Sequence, residues 1–131
     1  MYITSGSCPD IAFAISKLSH FVTCYWETHW QAALHVVCYL KGTHDWSLCL
    51  YLSRTLTTPC LLRYSNSDYA NNPGPQGQQS VGGYCFSLGS SMISWSSKQQ
   101  KTVATSTCTA KYITVSEASR ELIWIQNLLS E

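Results

Sequence analysis

Charged residues are scarce in this chain. They make up 11% of the sequence, the net charge is +1, and the eight Lys and Arg residues are scattered rather than clustered. The composition therefore gives no electrostatic signature of a surface that binds a polyanion. It also predicts a surface that is poorly protected against association with other molecules.

Long apolar runs and a secretory leader are missing as well. No run approaches the roughly 18 residues that a membrane-spanning helix needs, and no charged segment is followed by an apolar stretch and a cleavage site. These absences favour an intracellular protein, cytoplasmic or nuclear, that is not secreted. The 45% hydrophobic content over 131 residues, with five Trp and eight Tyr, predicts a folded chain of about one domain.

The cysteines and histidines also lack the sequence spacing that is typical of metal ligands. The seven cysteines contain no Cys-x-x-Cys pair, and the four histidines contain no His-x-x-x-His pair. We therefore expect no metal site, and in particular no zinc site. The cysteines are interpreted as reduced thiols that are mostly buried.

Two helices are predicted in the first third of the chain. The first follows Ser7 as its capping residue, with apolar residues at helical spacing up to Leu18. The second runs from about Glu27 to Lys41, with Gly42 as the residue after its end. We expect these two helices to pack as a hairpin.

The hydrophobic period then changes from helix to strand. Residues 48–52 alternate, a further strand reads from Leu61 to about Ser67, and residues 81–99 read as two strands joined by a turn. A long helix follows from about Thr107 to Leu129. Its predicted buried stripe consists of Val115, Ala118, Leu122, Ile125 and Leu129.

Several long motifs, in fixed order, resemble Pol polyproteins of copia-type retrotransposons. The motifs are PDIAFAISKLSHF, HWQAALHVVCYLKGT, a Tyr-Ser-x-x-Asp strand, GGYCFSLGSSMISWSSKQQKTVATST and IWIQNLLSE. The resemblance runs nearly end to end. It covers the close of the reverse transcriptase region and the N-terminal part of the ribonuclease H domain.

The resemblance implies a fold of the α+β or α/β class. Residues 1–45 would be a helical hairpin from the end of the reverse transcriptase or connection region. Residues 46–131 would be a partial ribonuclease H-like domain, consisting of a three-stranded antiparallel sheet and a long helix. The activity implied for the family is cleavage of the RNA strand in an RNA/DNA hybrid.

The catalytic positions that the resemblance implies are substituted in this chain. The family's first Asp follows a Tyr-Ser pair, where this chain has Asn66, and the family's Glu lies in a Thr-Glu-Ala-Glu-Tyr motif, where this chain has Lys111. Asp68 is the candidate substitute, although it would lie roughly 6.6 Å further along the strand. The family's later Asp ligands would lie beyond residue 131.

The parent family uses Mg²⁺, which requires several converging carboxylates. Since an amide and an ammonium stand at two of these positions, we expect no cofactor in this chain and no hydrolysis by it. The alternative function is a domesticated, non-catalytic module that binds nucleic acid or protein.

Two further features are candidate nucleic-acid contacts. Lys98 and Lys101 could touch phosphate, although two lysines are more typical of a solvated edge. Trp95, Tyr84 and Phe86 could stack on bases, but their period of two favours core positions.

Partners follow from the resemblance alone. They are an RNA/DNA hybrid and the rest of the Pol polyprotein. We expect no interaction with a membrane. Truncation would leave the first strand of the ribonuclease H-like sheet unpaired on one side, so self-association through this open edge is also expected.

Overall fold

The structure is a computed structural model that describes residues 2–51, 60–70 and 78–130. The chain divides into two compact units, Met1–Tyr51 and Leu52–Glu131, here called unit 1 and unit 2. The predicted boundary between residues 45 and 46 separates two regions of a polyprotein, and it stays a prediction. Within the described residues, no helix is long and apolar enough to cross a membrane.

Unit 1 is helical. It contains α1 (Tyr2–Gly6), a 3-10 turn (Pro9–Ile11), α2 (Ala12–Ser19) and α3 (Glu27–Gly42). The short helix α1 was not predicted. The predicted cap at Ser7 is wrong, because the Ser7 hydroxyl donates a hydrogen bond back to the carbonyl of Ile3 and the turn starts after Cys8 without a side-chain cap.

The second predicted helix, α3, is confirmed, and α2 packs against it as expected. Its first turn is held by His29, whose Nδ1 accepts a hydrogen bond from the backbone N–H of Trp26 at 3.1 Å. The ring of His29 also stacks on Phe21, with centroids 4.0 Å apart. Gly42 is the last helical residue rather than the residue after the end, and Thr43 is the C-cap.

A second contact ties the start of unit 1 to α3. The hydroxyl of Tyr39 donates a hydrogen bond to Asp10 Oδ2 at 2.5 Å. This bond is the main reason why the pKa of Tyr39 lies above its ordinary value, since an ionised phenolate could no longer donate to the carboxylate. Desolvation and the negative charge of Asp10 act in the same direction.

The predicted strand over residues 48–52 is not found. Residues 48–51 have no regular secondary structure, and residue 52 lies outside the described residues. Leu50 and Tyr51 are largely exposed. Alternating apolar residues form a strand only when a partner strand satisfies their backbone groups, and no partner pairs with these residues in the described part of the chain.

Unit 2 contains a three-stranded antiparallel sheet in the order β1 (Leu61–Ser67), β2 (Val81–Leu88) and β3 (Ser91–Gln99). The predicted hairpin of β2 and β3 is confirmed, and it turns at Gly89, whose φ of 62° suits a glycine. These strands and the following helix confirm an α+β architecture with a three-stranded antiparallel sheet.

The long helix α4 (Thr107–Ser130) packs on β1 and β2. The prediction of the buried stripe is correct for its middle residues and wrong for the residues at both ends. Val115 and Leu129 are about half exposed, at 47% and 52%. The buried positions are Ala110, Thr114, Ala118 and Ile125, and the last two pack with Phe86 of β2.

The cysteines are free thiols, but they are not mostly buried. Five are exposed and two, Cys8 and Cys85, are partly buried. The prediction failed because most of these cysteines lie in unit 1 or at element ends. In residues 2–51 the structure buries one side chain, that of Ile11.

Candidate functional site

The candidate site lies at the end of unit 2 where β1 ends and α4 begins. Ser67, the last residue of β1, pairs with Gly82 of β2. Gly82 in turn lies directly under Thr114 of α4, so that a Cβ added at Gly82 would clash with the Thr114 hydroxyl and would lie 3.2 Å from its Cγ2. The helix therefore approaches the sheet backbone closely at this point, and only glycine allows this approach.

Gln100 fixes the first turns of α4. It lies just after β3 and is 2% exposed. Its Nε2 donates hydrogen bonds to the carbonyl of Ala110 at 2.7 Å and to the hydroxyl of Thr114 at 3.0 Å. Its Oε1 is buried without a hydrogen-bond partner, as is the hydroxyl oxygen of Ser67.

Asn66 lies in β1 opposite Gly83. Its neighbours Ser65 and Ser67 pair with Tyr84 and Gly82, which lie on the face of the sheet that α4 covers. Strand alternation therefore directs its exposed side chain away from α4. Its Oδ1 accepts a hydrogen bond from the backbone N–H of Ser67 at 2.9 Å, so this oxygen already has a donor.

Lys111 lies in the first turns of α4, three residues before Thr114. Its neighbour Ala110 is fully buried, whereas Lys111 itself is exposed. Thr114 lies over Gly82, and Gly82 pairs with Ser67, the residue that follows Asn66. Lys111 and Asn66 therefore lie at the same end of unit 2. No hydrogen bond or ion pair joins these two side chains.

Asp68 comes directly after β1 and closes the β1–β2 ladder. Its backbone N–H donates to the carbonyl of Val81 at 3.0 Å. Its carboxylate Oδ1 accepts a short hydrogen bond from the backbone N–H of Val81. Asp68 therefore has a structural role in which both its backbone and its side chain hold the same partner residue.

These contacts do not fit a divalent-metal site. No group of three or more His, Cys, Asp or Glu side chains that could hold a metal ion occurs in residues 2–51, 60–70 and 78–130. At the end of unit 2, the oxygen of Asn66 and one oxygen of Asp68 accept backbone hydrogen bonds. Lys111 adds a positive charge, which a hard cation would not accept as a neighbour.

The two candidate phosphate contacts lie near this end as well. Lys98 pairs with Gly82 in the strand register, and Lys101 follows the end of β3. Both lysines are exposed. The carbonyl of Lys101 accepts a hydrogen bond from Gln79 at 3.1 Å, which ties this segment to the start of β2.

The aromatic residues considered for stacking differ in burial. Phe86 is 1% exposed and lies in the core, whereas Tyr84 and Trp95 are partly buried. Burial is the main reason why the pKa of Tyr84 lies above its ordinary value. Negative charge on Glu121 and Glu117 raises this pKa further, and the hydrogen bond with Ser96 lowers it.

Sequence reasoning missed three residues that organise this end of the sheet, namely Gly82, Gln100 and Thr114. Polar side chains such as glutamine and threonine are ordinarily exposed, so they were not considered as core. One signal was available. Thr114 stands four residues from both Ala110 and Ala118, on the stripe of small residues that faces the sheet.

Comparison with known proteins gives several relatives. The chain is similar to the retrovirus-related Pol polyprotein from transposon TNT 1-94 of Nicotiana tabacum, at 37% identity over 131 residues, which are 100% of this chain and 9% of that protein. It is similar to the Pol polyprotein from transposon RE2 of Arabidopsis thaliana, at 39% identity over 123 residues, which are 94% of this chain and 8% of that protein.

A shorter relative matches over most of its own length. It is secreted RxLR effector protein 161 of Plasmopara viticola, 36% identical over 125 residues, which are 95% of this chain and 84% of that protein. No protein-family model matches the chain, and no solved structure matches it significantly.

The chain thus spans less than a tenth of the length of the Pol polyproteins that it matches. The similarity covers almost all of its residues and agrees with the motifs from residue 9 to the end of α4. The chain belongs to the family of retrovirus-related Pol polyproteins of copia-type transposons, of which it represents one segment.

Proposed function

We propose that this chain is the front part of a ribonuclease H-like region in a retrotransposon Pol polyprotein, and that it does not cleave RNA/DNA hybrids by itself. The architecture supports the first part, since a three-stranded antiparallel sheet is followed by a long helix that packs on its first two strands. Similarity to transposon Pol polyproteins supports the same assignment.

One observation carries the proposed lack of cleavage. Asn66 and Lys111 occupy the two positions at which the resemblance implies acidic metal ligands, and both lie at the end of unit 2 where β1 ends and α4 begins. A neutral amide is a weaker ligand than a carboxylate for a hard cation. An ammonium repels such a cation.

The magnitude of this repulsion is large. Two unit charges 4 Å apart interact by about 4 kcal/mol at an effective dielectric constant near 20, and the double charge of Mg²⁺ doubles this value. Asp68 is a poor replacement, because it lies roughly 6.6 Å further along the strand than Asn66 and its Oδ1 is held at the end of the β1–β2 ladder by the Val81 N–H. The described residues of this chain therefore do not support Mg²⁺-dependent phosphate chemistry.

A cleavage assay tests this proposal. The purified chain is incubated with a labelled RNA/DNA hybrid and Mg²⁺, with and without a chelator. We expect no cleavage above a mock preparation. Cleavage that the chelator abolishes and the mock preparation lacks would overturn the proposal.

The remaining functional assignments rest on the family. An RNA/DNA hybrid and the rest of the polyprotein are the proposed partners, and Lys98 and Lys101 are the proposed phosphate contacts. We propose a cytoplasmic or nuclear location, because reverse transcription of an element takes place inside the cell.

A further inference from the structure

A histidine stands at each end of α3, and the two rings face opposite kinds of hydrogen-bonding group. His29 lies in the first turn of the helix, and His44 lies two residues after its last residue, Gly42. Protonation decides whether each nitrogen of an imidazole donates or accepts a hydrogen bond. The contacts of each ring therefore identify the charge state that they require.

The contact of His29 requires a neutral ring. His29 is the third residue of α3, and its Nδ1 accepts a hydrogen bond from the backbone N–H of the N-cap residue Trp26 at 3.1 Å. In an ordinary capping box a Glu or Gln accepts this bond. A protonated imidazole carries N–H at both nitrogens and cannot accept it. Protonation of His29 therefore removes the bond, and it places a positive charge at the helix N-terminus, where a cation is unfavourable.

Rotation of the ring cannot restore this bond. The His29 ring stacks on Phe21, with centroids 4.0 Å apart and planes inclined by 13°. A half-turn would keep the ring flat on Phe21, but it would place a carbon atom where Nδ1 now faces the Trp26 N–H. An imidazolium is attracted to the face of a phenyl ring. The stack can therefore persist in acid, whereas the hydrogen bond at the N-cap cannot.

The contacts of His44 require a charged ring. Its Nδ1 lies 2.9 Å from the carbonyl oxygen of Lys41 in the last turn of α3, and its Nε2 lies 3.2 Å from Oδ1 of Asp45. Both neighbours are acceptors, so both nitrogens must carry a proton to bond to them. A cation is also favourable at the C-terminus of a helix. Because the His44 and Asp45 side chains are 71% and 86% exposed, solvent weakens this contact.

The other titratable residues beside His29 do not replace the lost bond. Glu27 and Tyr25 line the same groove of unit 1 as His29. Glu27 lies two positions before His29, and residues two apart in a helix do not face each other. The Glu27 carboxylate accepts a hydrogen bond from Gln31 at 2.8 Å, on its own side of the helix.

The helix that packs against α3 brings positive charge. Helix α2 has one charged residue, Lys17, whose ammonium lies 5.8 Å from the centroid of the Phe13 ring. His20 follows α2 and is exposed. Each of these groups is a cation or can become one, so neither compensates a charge on His29.

We propose that α3 is a pH-sensitive helix whose two ends respond in opposite directions. The hydrogen bond of His29 is present while the ring is neutral and is lost as the pH falls, so the first turn opens in acid. The contacts of His44 form fully when that ring is charged, so the last turn stays closed. Histidine side chains ordinarily change charge between about pH 5 and 8.

Unit 1 is suited to such a local opening. In residues 2–51 the structure buries one side chain, that of Ile11. Segments with few buried contacts open at a lower free energy than the core of a protein. The loss of one hydrogen bond can therefore change the population of an open first turn.

Backbone amide exchange of the full 131-residue chain tests the proposal. Exchange with water is followed by NMR at about pH 7.5 and about pH 5.5, with reductant present, and is corrected for the intrinsic effect of pH. We expect protection of the Trp26 amide to fall about fivefold on acidification. The Thr43 amide, which donates to the Tyr39 carbonyl at 2.9 Å, should keep or gain protection. Unchanged protection at Trp26, or an equal loss at both ends, would overturn the proposal.

Two substitutions at His29 reproduce its two charge states. His29→Gln keeps an acceptor at the third helical position and does not titrate, so we expect the Trp26 amide to stay protected at both pH values. His29→Lys carries a cation and no acceptor, so we expect weak protection at both. Loss of protection in acid by a folded His29→Gln variant would contradict the role of His29.

His35→Gln is the matched control. His35 is exposed in the middle of α3, so the same substitution should leave the acid response of the Trp26 amide intact. Circular dichroism checks that each variant is folded, and His29→Gln alone decides the result if His29→Lys does not fold. Loss of the acid response in His35→Gln would overturn the assignment to the N-cap.

Discussion

Gln100 and Thr114 are joined by a buried hydrogen bond, with the side-chain Nε2 of Gln100 3.0 Å from the hydroxyl oxygen of Thr114. The two side chains are 2% and 1% exposed. They connect the residue after β3 to the second turn of α4. The position of Lys111 relative to the sheet therefore depends on a polar contact rather than on apolar packing alone.

We expect Gln100→Ala to destabilise the protein by about 1–3 kcal/mol, because it removes two buried hydrogen bonds and leaves the Ala110 carbonyl with one donor fewer. Chemical denaturation followed by circular dichroism measures this loss. Gln126→Ala is the matched control, since Gln126 is an exposed glutamine of α4 and its loss should change stability by less than about 0.5 kcal/mol. Equal effects of the two substitutions would contradict the structural role of Gln100.

We expect Gly82→Ala to be destabilising by about 1–3 kcal/mol, since the added methyl group would overlap the side chain of Thr114. A double-mutant cycle identifies the cause. In a Thr114→Ala background, the same substitution at Gly82 should cost less, because the clashing hydroxyl and methyl groups are absent. Additive effects would show that the close approach at Gly82 does not limit stability.

Stability should fall at alkaline pH in a way that depends on Tyr84. The pKa of Tyr84 in the folded protein is raised above its ordinary value of 10.0, chiefly by burial. Above this ordinary value the unfolded chain ionises while the folded chain keeps the proton, so the stability present at lower pH is lost as the pH rises through the folded pKa. Thermal denaturation at increasing pH should show a smaller loss for Tyr84→Phe than for the native chain.

The contact between Asp10 and Tyr39 makes a prediction about unit 1. We expect Asp10→Ala to lower the pKa of Tyr39 toward its ordinary value, because the substitution removes the hydrogen bond and the negative charge that favour the neutral phenol. Ring-labelled tyrosine followed by NMR across the titration measures this pKa. Asp45→Ala removes an exposed carboxylate elsewhere in the same unit and should leave the Tyr39 titration unchanged.

The elements that the sequence predicted well are those whose signal is local. The helix α3 and the β2–β3 hairpin have clear periods and a turn glycine, and the structure places them as expected. The start of α4 at Thr107 was also predicted. Local propensity and hydrophobic period agree in all three cases.

The parts that could not be predicted depend on tertiary partners. Residues 48–51 alternate like a strand, yet the described chain gives them no strand to pair with. Thr114 replaces Val115 on the buried stripe because Gly82 leaves room for it there. In the candidate site, the choice of Asn66 and Lys111 rests on the family resemblance of the sequence alone, whereas the bond of Asp68 to Val81 required the fold.

The burial of a single side chain among residues 2–51 has a consequence for how the molecule opens. A unit with so little interior has few contacts to lose when its backbone opens, so its amide protons should exchange with deuterium long before those of β2 and α4. The slowly exchanging protons should mark out the small cooperative region around Phe86, Ala118 and Ile125. Heating should then melt the helices of unit 1 at a lower temperature than the sheet.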